Sequence, residues 1–190
     1  MIAPGTAWRN PRTDASLTVV EYTPEQAVIE RRMRPGTGRT DAHVHRDFEH
    51  WWEAIEGELT CAVDGAERRA GPGERVVVPA GTPHRDPFNE TQEDLVFRLA
   101  VRPATPFAEV FVRTLGDLME RDALNDQGEF TNLQLFGVLR AGRADSWQAG
   151  LPVWLQRPVV AAGALLEHLD AERITRRLPD DTRVLRRSMS

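Results

Sequence analysis

The chain has 190 residues, 41% hydrophobic and 28% charged, with a formal net charge of -5 and a single cysteine. That length buries a sizeable core as one domain, or as one domain with an appendage. The acidic balance argues against a general nucleic-acid binder, lone Cys61 excludes an internal disulfide framework, and no apolar run approaches the roughly 20 residues of a membrane span.

The opening, MIAPGTAWRNPR, lacks the apolar segment of a signal peptide. With the isolated cysteine, this makes a reducing cytoplasm the expected location. Up to about residue 105 the chain reads as short strands. The candidates are SLTVVEYT, AVIERRMRP, EHWWEAIEGELTCAVDG, ERVVVPAG and EDLVFRLAVRP, punctuated by Gly, Pro, Asp and Asn. Glu56–Glu58 and Asp64–Glu67 read as hairpin turns. Short strands at regular spacing predict a mainly β sandwich or barrel.

After RPATP the period changes. Phe107, Val110, Phe111, Thr114 and Leu118 recur at helical spacing, and Thr131 is placed to cap a second helix. A third helical segment follows, with Pro158 opening or kinking it. The organisation expected is a β-domain over residues 1–105, a helical extension over 106–178 packed on the outside of the barrel or on a second subunit, and a flexible tail over 179–190. A homodimer fits that apolar extension.

Three of the five histidines fall in AHVHRDFEHWW, residues 42–52. His43 and His45 alternate, so a strand points both imidazoles to one face. A second stretch, GPGERVVVPAGTPHRDPFN, runs from Gly71 to Asn89 and carries His84. Gly73 permits the turn into its strand, and PAGTP turns the chain so that His84 faces back toward the barrel.

The spacing Gly73-x5-Pro79-x-Gly81-x2-His84 resembles the second motif of the cupin superfamily. Where that motif closes on asparagine, Phe88 stands and Asn89 comes one later, so the RDPF loop is one residue longer. The first motif is matched by His43, His45 and the closing Gly57, while Gly36 and Gly38 lie near its opening glycine without hitting the spacing. Together the motifs span roughly residues 36–89, and the helical tail resembles that of bacterial single-cupin proteins. The resemblance implies a double-stranded β-helix, the jelly-roll or cupin barrel, followed by C-terminal α-helices. It also implies one divalent metal held by histidines of both motifs and a glutamate of the first.

Glu49 and His50 compete for the glutamate's place. Counting forward from His45 permits either, whereas the family's count back from Gly57 selects His50. Strand alternation puts His50 with Trp52 and Ala54, and Glu49 with Trp51 and Glu53. The expected metal ligands are therefore His43, His45, His50 and His84, with Glu49 as the alternative to His50. Four neutral imidazoles would leave the divalent charge uncompensated, suit Zn, Ni, Fe or Cu, and leave no obvious carboxylate as general base.

The activity expected is that of a metal-dependent enzyme on a small oxygen-bearing organic molecule. Its chemistry would be of cyclase or isomerase type, or of dioxygenase type. The alternative is a non-catalytic metal- or ligand-binding module. No nucleic-acid or membrane partner is expected. Trp52 is a candidate to line the pocket, Trp51 reads as packing, and Cys61 reads as a small core residue on a strand with Leu59 and Val63. His168, in the last helix, reads as structural.

Overall fold

A computed structural model describes residues 1–38, 40–142 and 146–177, with side chains through residue 166. In chain order the strands are β1 (Ala7–Arg9), β2 (Ser16–Tyr22), β3 (Ala27–Met33), β4 (His43–Val44), β5 (Glu49–Glu56), β6 (Leu59–Val63), β7 (Ala66–Ala70), β8 (Arg75–Val78), β9 (His84–Phe88), β10 (Leu95–Arg102) and β11 (Trp147–Gln148). The helices are α1 (Pro106–Glu120), α2 (Asn132–Ala141) and α3 (Val153–Arg177). Two antiparallel sheets result, ordered β1-β2-β3-β10-β5-β8 and β11-β4-β9-β6-β7. This is the double-stranded β-helix expected. Strands β1, β4, β7, β9 and β11 fall outside the five candidate strand segments, although the alternation of His43 and His45 was read on a strand, and β11 lies inside the stretch read as helical.

The two expected hairpin turns have different outcomes. Asp64 (φ 52°) and Gly65 (φ 74°) join β6 to β7 in a two-residue turn with both central residues left-handed, which matches the right-handed twist of the flanking strands. Glu56–Glu58 is no hairpin, because β5 and β6 belong to different sheets. The chain crosses from one sheet to the other there. Gly57 (φ 78°) makes the crossing possible, since a Cβ would stand 2.8 Å from the Asp94 carbonyl oxygen.

Between the sheets lie Met33, Trp52, Ala54, Leu59, Cys61, Leu95 and Phe97. Cys61 is a buried interior residue, as its phase predicted. Directly paired residues on neighbouring strands share a face. The pairings Val19 with Ile29 and Ile29 with Leu99 therefore extend the inner face of the larger sheet across β2 and β3.

That end of the inner face is covered by α1. Thr105 accepts the Ala108 N–H as N-cap, and Pro106 opens the helix. Its buried face, Val112, Leu115 and Met119, packs on Ile2, Trp8, Leu17, Val19 and Ile29. Trp8 lies against Gly116 and donates its indole N–H to Asp117 Oδ1 at 3.2 Å. For α1 the surface covered is the apolar inner side of β1 to β3, which would otherwise face water.

Thr131 and Gln134 form a capping box at the start of α2. Val138 and Leu139 of this helix meet Phe48 and Phe107. Pro158 lies inside α3 rather than opening it. The α3 surface leaves Trp154, Leu155, Val159, Leu165 and Leu166 exposed. The His168 side chain and the 179–190 tail lie outside the described residues. Among the described residues no helix is long and apolar enough to cross a membrane.

Candidate metal centre

Strands β4 and β9 pair with His43 opposite His84, which sets their rings 4.3 Å apart, centroid to centroid. Nδ1 of His43 lies 2.9 Å from the Asp41 carbonyl, and Nδ1 of His84 lies 2.9 Å from the Thr82 carbonyl. A carbonyl only accepts, so each Nδ1 carries the proton and donates. In the neutral ring Nε2 is then left as the lone-pair donor. His45 follows two residues after His43, its ring 5.1 Å from His84 and stacked on Phe48 at 4.4 Å.

His50 arrives from the opposite sheet on β5, its ring 4.5 Å from His84 and 5.4 Å from His45. It is 2% exposed, and neither ring nitrogen has a hydrogen-bond partner; Nε2 of His84 likewise has none. Burial pushes the His50 imidazole down to about 3, with the neighbouring His84 and His43 adding to the effect and Asp86 opposing it. Burial also lowers His84. Both are neutral donors at neutral pH.

The expected histidines fall into two overlapping groups. Donor atoms of His43, His45 and His84 lie within 4.8 Å of one another, and so do those of His50, His84 and Asp86. His84 belongs to both.

Asp86 was missed in the sequence, and it corrects the expected charge of the site. Its carboxylate Oδ2 lies 3.6 Å from His43 Nε2, and its backbone N–H donates to Thr40 Oγ1 at 3.1 Å. Burial works to raise this carboxyl. The surrounding His43, His84, His50 and His45 outweigh that and hold it at about 2. An expectation of four imidazoles without a carboxylate therefore does not describe the cluster. The signal was available: Asp86 is two residues beyond His84, and on a strand i and i+2 share a face.

The additional residue in the RDPF loop also has a structural place. Thr60 pairs with Phe88 and Ala62 with Arg85. Three steps on β9 thus face two on β6, a bulge. Beyond it Asn89 is fully buried, with Nδ2 donating to the Met33 and Glu93 carbonyls and Oδ1 accepting from Thr91. Asn89 pins the loop that leaves β9.

The alternation read on β5 holds. His50, Trp52 and Ala54 are buried on the inner side. Trp51 packs outward with Val28 and Ala100, and the Arg75 guanidinium lies 3.8 Å above its ring. Glu49 shares that outer phase, away from the histidines. Trp52 is 1% exposed, and its ring stands 4.9 Å from His50. It forms an apolar floor beside the cluster. Phe107 of α1, 5.8 Å from the His45 ring, closes the other side.

Two antiparallel sheets wrapped as a double-stranded β-helix, with histidines from both sheets converging inside, define a small barrel protein with a candidate metal centre. Residues 30–102, the strands that carry the histidines, match the family described as Cupin domain, and that segment of the chain is a cupin domain. Solved structures similar to it include TT1209 from Thermus thermophilus (26% identity, 50% of this chain and 87% of that one, TM-score 0.44). A double-stranded β-helix protein from Klebsiella pneumoniae is 24% identical over 50% of this chain and 83% of that one, with TM-score 0.42. KdgF from Halomonas sp. is 21% identical over 51% and 87%, with TM-score 0.44. No curated protein matches the chain.

Proposed function

We propose that the protein is a metal-dependent enzyme acting on a small oxygen-bearing organic molecule. The observation that carries this reading is the convergence of the histidines, with buried ring nitrogens of His50 and His84 that lack hydrogen-bond partners. His50 and His84 leave three buried ring nitrogens unsatisfied. Native folds seldom tolerate that unless something fills the site. The donor set fits a transition metal such as Zn, Ni, Fe or Cu and is poor for Mg or Ca. His43, His45, His50 and His84 would hold it, with the Asp86 carboxylate supplying one negative charge beside or within the ligand set. When bound, such a metal supplies Lewis-acid polarisation of a substrate oxygen, or activation of O₂.

The chain's own groups supply the rest. The Asp86 carboxylate is ionised at neutral pH. It is the group placed to accept a hydrogen bond from a substrate O–H and to hold that proton transiently at Oδ2. The low value imposed by its neighbours makes it an orienting acceptor before it is a proton store. Phe48, Trp52 and Phe107 keep water from the buried side of the histidines, which strengthens every charge interaction there.

The experiment is metal analysis of the purified protein, followed by chelation, reloading and turnover assays on catechol, diketone and enolisable ketone panels. Oxygen uptake with turnover supports dioxygenase-type chemistry. Turnover without it supports the cyclase or isomerase type. Metal binding with no turnover favours a non-catalytic metal-binding module, and failure to bind any first-row metal overturns the reading.

A further inference from the structure

A cavity of about 350 Å³ lies apart from the histidines, between the end of β3, the segment joining β1 to β2 and the loop that joins α1 to α2. Its charged lining comprises Arg12, Arg31, Arg32 and Arg34 against Asp122 and Asp126. Several of these are already committed. Arg12 pairs with Asp122 at 2.9 Å, and Arg32 pairs with Asp94 at 3.1 Å. Arg31 is different. It projects from the inner face of β3, is 7% exposed, and its Nε has no hydrogen-bond partner.

Among the described residues its guanidinium pairs with Glu129, whose Oε1 accepts from Nη2 at 3.1 Å. Nε–H and Nη2–H lie along one edge of the guanidinium as two parallel donors, the geometry that matches a carboxylate at two points. Glu129 uses one prong of that edge and leaves the other empty. A buried cation engaged at a single point keeps an uncompensated donor, which is costly to leave away from water. Met33, Met119 and Leu124 give the same cavity an apolar wall. The volume suits a small molecule with a short hydrocarbon part.

We propose that this cavity binds a small organic carboxylate, which takes both Nε and Nη2 of Arg31 and displaces Glu129 Oε1 from that edge. The site goes beyond the metal reading and does not depend on it.

The test uses the full-length, metal-free protein titrated with butyrate, succinate, inorganic phosphate and the neutral isostere butyramide. The readouts are the calorimetric affinity, which every variant gives, and the Arg31 Nε–Hε resonance, assigned in the wild type by its through-bond connectivity to the rest of the Arg31 side chain. A saturable shift with butyrate or succinate, and none with butyramide, is the expected result. Arg31→Lys keeps the charge without the planar fork and should weaken binding about tenfold or more. Glu129→Gln removes the competing carboxylate and should tighten it severalfold. An unmoved Nε resonance, or equal binding by Arg31→Lys, overturns the proposal. Phosphate binding as tight as butyrate overturns the assignment to a carboxylate. Should Arg31→Lys fail to fold, the wild-type resonance and the Glu129→Gln comparison decide the matter. Because no metal is present, failure here leaves the metal centre untouched, and failure of metal binding leaves this site untouched.

Discussion

His43 and His84 face each other across the β4–β9 pairing, each with its Nδ1 on the carbonyl of the residue two before it. Those two backbone contacts select the same tautomer on both rings and leave both Nε2 atoms as lone-pair donors. Side chains oriented in this way would need no change of tautomer to ligate a metal.

Removing a ligand should separate the competing assignments. His84→Ala and His50→Ala are each expected to lower metal affinity by about tenfold or more, read as the metal-to-protein ratio after dialysis against a graded chelator. Glu49→Ala should retain metal, because Glu49 lies in the outward phase of β5. Loss of metal in Glu49→Ala with retention in His50→Ala would reverse the assignment.

Asp86→Asn keeps the shape and removes the charge. If the carboxylate compensates or ligates the metal, affinity should fall about 10- to 100-fold. The melting curve of the metal-free protein should remain cooperative. Unchanged affinity in competition with a chromogenic chelator would remove Asp86 from the site.

Acid should destabilise the metal-free protein in a definite window. His50 is depressed to about 3 from an ordinary 6.5, and His84 is lowered in the same direction. Below 6.5 the unfolded chain takes up protons that the folded chain refuses. The stability contributed by the neutral buried rings is then present above 6.5 and is lost as pH falls toward 3, at about 1.4 kcal/mol per unit of displacement. Asp86, lowered to about 2 from 3.8, adds a further loss between those values. Urea titrations from pH 7 to pH 4 should show the midpoint falling. A flat midpoint would contradict the burial of His50 as a neutral ring.

In an exposed helix, glycine to alanine usually stabilises by up to about 1 kcal/mol. At Gly116 the sign should reverse. An added Cβ would meet the Trp8 ring at 2.2 Å, so Gly116→Ala must move the indole or the helix. Overpacking of this kind costs about 1–3 kcal/mol, visible as a lower melting temperature. An unchanged or higher one would mean that Trp8 shifts freely.

Much of the histidine cluster could be read from spacing, because period-two alternation is local. It placed His43, Trp52, Ala54 and Cys61 on the inner side and Trp51 on the outer. The same rule applied once more, from His84 to Asp86, would have found the carboxylate. The motif count looked for it in β5, at the position of His50. Other features had no local signal. Arg31 and Glu129 are 98 residues apart in sequence, and only the path of the α1–α2 loop brings them together. Strand β11 is two residues long and exists because Trp147 and Gln148 pair with Val44 and His43, which no propensity predicts. Glu56–Glu58 has the composition of a hairpin turn, and composition does not distinguish a turn within a sheet from a step between sheets.

The placement of α1 bears on how the molecule can be divided. The last long strand ends at Arg102 and the first helix begins at Pro106, so the chain invites a cut at that point. The packing does not follow it. Leu17, Val19 and Ile29 from the strands and Val112, Leu115 and Met119 from the helix form one apolar cluster, with the break in secondary structure running through its middle. A fragment ending near residue 105 would present that half-cluster to water as a sticky surface. The strands and the first helix share one core, so a gene shortened at the change of period is expected to yield aggregating protein in place of a minimal barrel.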